Sequence, residues 1–423
     1  MSDTGILDPR KLLLQQRLKK SLGQVVGADR PAVAPRPDAP AQTAHRAHPQ
    51  LASCWDGVVA ASRQAASALC PNEAHARHAA NLDQLDALCA GLVGAGLRRL
   101  GMFEAPQAAL TADALRARHG IAASHARAME RLLHIGAEAG WLRRDESGWS
   151  RVAAWPDEPS AAEVETLRVV FQDLPELFDF VIRSGRALPQ ILTGAQHAAE
   201  MLFPDGRLDI AERLYTQSPP FVYCNGVAAA VVRHLAHSLP CDAVFSLAEV
   251  GAGTGATSMA LFPELEGRAT DYLFSDISNF FLDLARSRFA DRAFVRYGLL
   301  DIEQAPAADG AGGAPFDVIV AAHVLHATRD IDATLRNVRA RLAPHGLLIL
   351  LEETTMHRLF CLTMGLQTGF DRFEDAPLRT AHPLLSAAQW EAALLRNGFA
   401  RTLSLPDLLG IQPLLAQATG EAQ

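Results

Sequence analysis

The sequence predicts an α/β fold: a doubly wound, mostly parallel sheet in residues 241–423, preceded by a helical lid domain in residues 51–240. Three observations carry this. From about residue 243, the short apolar runs AVFSLAEV, YLFSD, AFVRY, FDVIVAA and LLILLEE alternate with helix-like stretches. Strands alternating with helices build a parallel sheet whose ligands sit at the strands' carboxyl ends. Upstream, apolar residues recur at intervals of three and four, as in LDQLDALCAGLVGAGLRRLGMF, which is the helical period. Finally, the first apolar run empties into a glycine-rich turn, AEVGAGTGATS, with a helix pattern behind it.

Bulk composition narrows the function classes. A chain of 423 residues has room for two or three domains, and 49% hydrophobic with 20% charged residues describes an ordinary globular protein. The formal net charge of -8 argues against nucleic acid as a partner, because phosphate binding needs a basic face. The 6 cysteines are scattered, with no CxxC pair and no clustered His/Cys spacing. Reduced thiols in a cytoplasm are expected from that, and no metal site. The charged N-terminus MSDTGILDPRKLLLQQRLKK lacks a signal-peptide pattern, and no apolar run is long enough to predict a membrane helix.

In chain order, residues 1–25 contain an amphipathic stretch, LDPRKLLLQQRLKKSL at 7–22. Asp8 suits its N-cap, Pro9 its first turn, and Lys19 and Lys20 its C-terminal end. Residues 26–50 are rich in Pro and Ala and read as a disordered linker, so the helix reads as a tethered docking element. Within the helical region, residues 108–153 predict helix, helix and hairpin, a winged-helix-like arrangement. Thr111 caps the first helix, Gly120 ends it, and GWLRRDESGWSRV forms the hairpin. The would-be recognition helix, SHARAMERLLHIGAEAG, carries only two arginines, so a structural or dimerising role is favoured over DNA reading.

The glycine turn is where chemistry first shows. Gly251, Gly253 and Gly255 stand between strand and helix, where a missing Cβ lets backbone approach a ligand. The next strand ends in Asp276, a carboxylate placed to accept bonds from two ribose hydroxyls. Nicotinamide and S-adenosylmethionine enzymes share that logic. Glu249, two residues before the first glycine, and the lack of a GxGxxG spacing favour S-adenosylmethionine. Asp301, followed by Ile302 after the third strand, adds an acid that can receive an adenine amino group.

The fourth strand ends in HVLHATRD, with His323 and His326 three residues apart, and the fifth ends in Glu352 and Glu353. Together with EVGAGTGATS, YLFSDIS, LLDIE, LLILLEET and LRTAHPLLSAAQW, these motifs resemble the methyltransferase domains of polyketide synthases, a branch of the class I S-adenosylmethionine-dependent methyltransferases. LPQILTG, LFPDG and LYTQSP resemble the lid before the sheet, so the likeness runs from about residue 170 to 405.

The resemblance implies a Rossmann-like sheet with a helical lid, S-adenosylmethionine as cofactor, and a substrate tethered as a thioester to an acyl carrier protein. It also implies a catalytic pair, His326 and Glu352. The favoured acceptor is the α-carbon of a β-ketoacyl thioester. The alternatives are an oxygen acceptor, on a carrier-bound or released polyketide, and a non-catalytic interaction protein that kept the fold. Residues 7–22 would then dock a synthase subunit. His323 departs from the family motif, where Asn is common. Tyr215 and Asn225 match lid positions that face cofactor or substrate, and Phe360, Met364 and Phe370 would line an acyl pocket.

Overall fold

The computed structural model describes residues 48–70, 72–104, 109–306 and 314–420. The expected docking helix, and the linker as far as residue 47, lie outside those residues.

The N-terminal half is helical. The long helix Asn72–Arg99 packs on Pro175–Arg186, and Pro219–Ser238 lies along Trp55–Leu69. Pro219 and Pro220 occupy the first turn of their helix, where a missing N–H costs nothing. That helix buries Phe221, Tyr223, Val227, Val231 and Leu235. In the segment read as winged-helix-like, Ala112–Arg118 is capped by Thr111, whose hydroxyl accepts the Ala114 N–H at 3.2 Å. Helix Ala126–Glu138 follows, then a hairpin of β1 (Leu142–Asp145) and β2 (Gly148–Arg151), with Leu110 bridging to Trp149 as a third short rung.

The main sheet comprises β3 (Phe245–Val250), β4 (Thr270–Asp276), β5 (Val295–Leu299), β6 (Phe316–Ala322), β7 (Leu342–Glu353), β8 (Phe399–Ser404) and β9 (Ile411–Ala418). Its order is β5-β4-β3-β6-β7-β9-β8. The first five strands are parallel, and β9 runs antiparallel to both β7 and β8. The chain winds outward from β3 to β5 and then returns to place β6 on β3's other side. The carboxyl ends of β3 and β6 therefore flank a topological switch point, the crevice where open α/β sheets bind ligands. The apolar runs of the sequence predict only the five parallel strands. In β9, Gln412, Pro413 and Gln417 interrupt the apolar pattern that marks the others.

Both sheet faces are buried, as parallel central strands require. Leu347, Ile349 and Leu351 of β7 face the helical lid with Val318 and Val320 of β6. Leu348 and Leu350 face the opposite layer with Ile319, Ala321, Leu335 and Trp390. That alternation decides which side of the sheet each strand-ending side chain serves. No helix among the described residues is long and apolar enough to cross a membrane.

Candidate active site

At the switch point β3 ends in Val250, and the turn through Gly251, Gly253 and Gly255 leads to helix Ala256–Leu261. All three glycines have positive φ, at 62°, 53° and 79°. Their surroundings differ. A Cβ on Gly251 would lie 2.5 Å from the Val324 side chain, and one on Gly255 would lie 2.9 Å from the Phe289 ring. One on Gly253 would meet nothing closer than the Gly251 carbonyl oxygen, at 3.9 Å. Packing therefore demands the first and third glycines, while the second presents open backbone, the cradle a ligand would fill.

The acids around the turn are already engaged. Asp276, ending β4, accepts the Gly253 N–H at 3.0 Å and the Ser278 N–H at 2.7 Å. Glu249 is fully buried beneath the turn and accepts the hydroxyls of Ser258 and Tyr272. Burial lifts its carboxyl to about 7 against the pull of those two donors. Asp301 follows β5 and accepts the Glu303 N–H at 3.0 Å. Ile302 is buried in the layer away from the lid, its carbonyl accepting from Asn337.

Across the switch point, His323 follows β6 directly and has φ of 59°, a left-handed backbone uncommon outside glycine. Its N–H donates to the Leu351 carbonyl at 2.7 Å. A 3-10 turn, Leu325–Ala327, then carries His326. Nδ1 of His326 meets the Glu352 carboxylate, whose other oxygen accepts the N–H groups of Val324 and Leu325 at 3.3 and 2.9 Å. Nε2 of His326 has no partner among the described residues. The ring stacks on Phe370 at 5.1 Å between centroids. Arg379, itself buried, donates to the His326 and Thr328 carbonyls at 2.8 and 2.7 Å and so pins the turn from behind. Burial alone would depress the His326 pKa, but the Glu352 carboxylate outweighs it and the ring sits above the usual histidine value.

A second pair stands beside the first. His323 Nδ1 lies 3.0 Å from Glu353, and its ring meets Phe221 edge-on at 5.0 Å. Burial pushes the Glu353 carboxyl up, yet the two imidazoles prevail and hold it at about 2. Only 12% of the Glu353 side chain is exposed. The doubled acid after LLILL, opposite two histidines, is the signal in the chain that could have found it. Ligand atoms of His326, Glu352 and Glu353 lie within 4.8 Å of one another. Glu352 already takes three donors, however, so the trio forms an ion-pair network.

Both histidines line an apolar cavity of about 710 Å³, measured out to its open mouth. Phe180, Tyr215 and Phe221 from the lid and Phe360, Met364 and Phe370 from the segment after β7 form much of its wall. Burial drives the Tyr215 hydroxyl well above its ordinary pKa. Asn225 is not among the lining residues. Its side chain accepts from Thr257 at 2.9 Å and donates to the Tyr215 carbonyl at 3.1 Å, joining the lid to the helix behind the glycine turn.

Helix Ala126–Glu138, which stands in the recognition position of the winged-helix-like segment, holds the wall after β7. Arg131 grips Asp371 with two nitrogens, at 2.6 and 3.0 Å, and donates to Gly365. Arg127 donates to the Asp371 and Phe373 carbonyls. Both arginines of that helix are thus spent inside the molecule. No local pattern announces this clamp, because its partners lie more than 200 residues apart.

The chain has extensive likeness to known proteins. A family model described as "Methyltransferase domain" matches residues 248–348. The polyketide synthase ThaG of Burkholderia thailandensis is 36% identical over 320 residues, 73% of this chain and 6% of that protein. The polyketide synthase PksR of Bacillus subtilis is 36% identical over 250 residues, 56% of this chain and 10% of that protein. The chain thus spans a small part of the length of these curated relatives. Among solved structures, the CurJ carbon methyltransferase superposes with a TM-score of 0.80 at 30% identity, covering 88% of this chain and 100% of that one. The DszA carbon methyltransferase gives 0.77 at 25% identity, covering 90% and 100%.

Proposed function

The chain belongs to the carbon methyltransferase family of polyketide synthases, an S-adenosylmethionine-dependent family, and we propose that it methylates the α-carbon of a β-ketoacyl thioester on an acyl carrier protein. One observation carries this reading: a buried imidazole with Nδ1 fixed by a carboxylate and Nε2 unpartnered at an apolar cavity.

The chemistry follows from that arrangement. Glu352 makes Nδ1 of His326 the proton-bearing nitrogen, which leaves a lone pair on Nε2 and raises its basicity. An α-proton between two carbonyls is acidic enough for such a base. Bound at the glycine turn, S-adenosylmethionine supplies the electrophilic methyl group. We assign its binding to Gly251, Gly253 and Gly255 together with Asp276 for the ribose and Asp301 and Ile302 for the adenine, with Glu249 ordering the turn from below. The open face at Gly253 supports that assignment.

In this reading residues 51–240 cover the sheet domain 241–423, and the apolar cavity takes the acyl chain. The six free thiols support a reducing, cytoplasmic setting. The partners are a carrier protein and a synthase subunit, the latter docked through residues 7–22.

Incubation with S-adenosylmethionine and a carrier protein bearing either β-ketoacyl or β-hydroxyacyl groups tests the proposal. Fragmentation mass spectrometry should find the methyl on the α-carbon of the β-ketoacyl group. A methyl found only on oxygen, or equal rates on untethered small molecules, would overturn it.

A further inference from the structure

The His323–Glu353 pair has no task in the proposed methyl transfer, yet it is closely built. His323 holds a backbone with φ of 59°, and its ring is fixed on three sides. Glu353 lies 3.0 Å from Nδ1, Phe221 packs edge-on at 5.0 Å, and Tyr215 lies 6.4 Å away. With Nδ1 committed to Glu353, Nε2 is the nitrogen left to meet a ligand, and the ring lines the same cavity as the proposed base. The pair lies on the lid side of the sheet, where Glu353 is the next residue in the series Leu347, Ile349 and Leu351 along β7.

Building on the proposed α-carbon methylation, we infer that His323, held between Glu353 and the substrate, stabilises the enolate by donating its Nε2–H to the β-oxygen. The α C–H bond breaks and its proton goes to Nε2 of His326. The electron pair spreads onto the β-oxygen, which accepts the His323 N–H. That pair then forms the new carbon–carbon bond as the methyl–sulfur bond breaks and the sulfonium becomes a neutral thioether. His323 keeps its protons throughout. A carboxylate on one side and a developing oxyanion on the other give each ring nitrogen an acceptor for its N–H. A fixed donor aimed at charge that develops during reaction is the most effective kind. The histidine therefore makes the cavity selective for substrates with a β-oxygen able to take negative charge.

The test needs no cofactor turnover. The full chain is incubated in D2O with a short β-ketoacyl pantetheine thioester and no cofactor, and α-deuterium uptake is followed by mass spectrometry. The wild type accelerates exchange over buffer. His323→Phe keeps a ring and removes the donor, and should slow exchange about a hundredfold. His323→Asn tolerates the left-handed backbone, restores a neutral donor and should recover about tenfold of that loss. S-adenosylmethionine affinity, measured by calorimetry, should stay the same in both. Equal exchange in the Phe variant, the Asn variant and the wild type overturns the inference. If the Phe variant fails to bind S-adenosylmethionine, Glu353→Gln decides: exchange should fall about tenfold, and an unchanged rate overturns the inference. A wild type that exchanges no α-proton while methylating oxygen overturns the α-carbon reading, and the inference with it.

Discussion

The two His–Glu pairs use the same residue types, on neighbouring strand ends, and differ in almost everything else. His326–Glu352 is closed: both side chains are buried, the carboxylate takes three donors, and Arg379 braces the backbone behind the ring. His323–Glu353 is the more open pair, with 15% and 12% of the side chains exposed and a left-handed backbone under the histidine. Pleat explains the division. Successive residues on a strand point to opposite faces, so Glu353 falls on the lid side while Glu352 turns toward the other layer. His326 sits in the turn between and reaches Glu352 from above. Each carboxylate thereby hydrogen-bonds its own imidazole, and Glu353 stands off His326 Nδ1 at 3.7 Å. Burial and bracing suit the closed pair to holding one tautomer, and openness suits the other to meeting a substrate.

The largest effect should come from removing the base of the closed pair. His326→Ala should lower turnover by about 10³-fold or more while S-adenosylmethionine affinity, read by calorimetry, stays within about twofold of wild type. The base acts on the acceptor and touches no part of the glycine turn. Full activity in His326→Ala would make the buried pair structural and leave His323 and His357 as the imidazoles lining the cavity.

A milder change separates the pairs through pH. Glu352→Gln should cost about 10- to 100-fold in turnover, because an amide still orients the ring but no longer raises its basicity. The direction in pH is fixed by the pKa shift. The base works unprotonated, so the wild-type rate climbs as pH rises through the raised His326 value. Loss of Glu352 removes the main raising influence, and the acid limb of the rate profile should move to lower pH. The pair's contribution to stability follows the same sign: present below the ordinary value of 6.5, and lost as pH rises through the raised one. A limb that stays in place would mean that another group sets it.

Much of this is legible in the sequence, for physical reasons. Strand–helix alternation and the glycine spacing are local patterns, so the parallel strands and the turn can be read within a few residues. His326 and Glu352 stand out by motif likeness, and the fold brings them together. Other features depend on what a linear pattern omits. The clamp from Arg127 and Arg131 to the cavity wall joins residues more than 200 positions apart. The partner of Glu353 depends on the pleat and on the left-handed turn at His323, which no local pattern shows. The antiparallel pair β8 and β9 is hidden for a simpler reason: the polar residues and the proline in β9 break its apolar run.

Arg379 offers the smallest effect and the finest discrimination, because it braces only the closed pair. Its guanidinium donates to the carbonyls of His326, Thr328 and Arg329 and to Asp375, all at 2.7 to 3.0 Å. A lysine keeps the charge and loses the planar fork, so it can serve only some of those acceptors. Arg379→Lys should therefore loosen the turn that carries His326 and leave the electrostatic setting of the ring nearly as it was. The carbonyls left without donors should cost about 1–3 kcal/mol of stability, seen as a lower melting temperature. Turnover should fall about tenfold through misplacement of the base, with the acid limb of the pH profile unmoved. A shifted limb with full turnover at its plateau would show that the guanidinium acts on His326 through charge, and the bracing role would be lost. Cofactor-free α-deuterium exchange in the same variant should fall in step with turnover, since both need His326 in place.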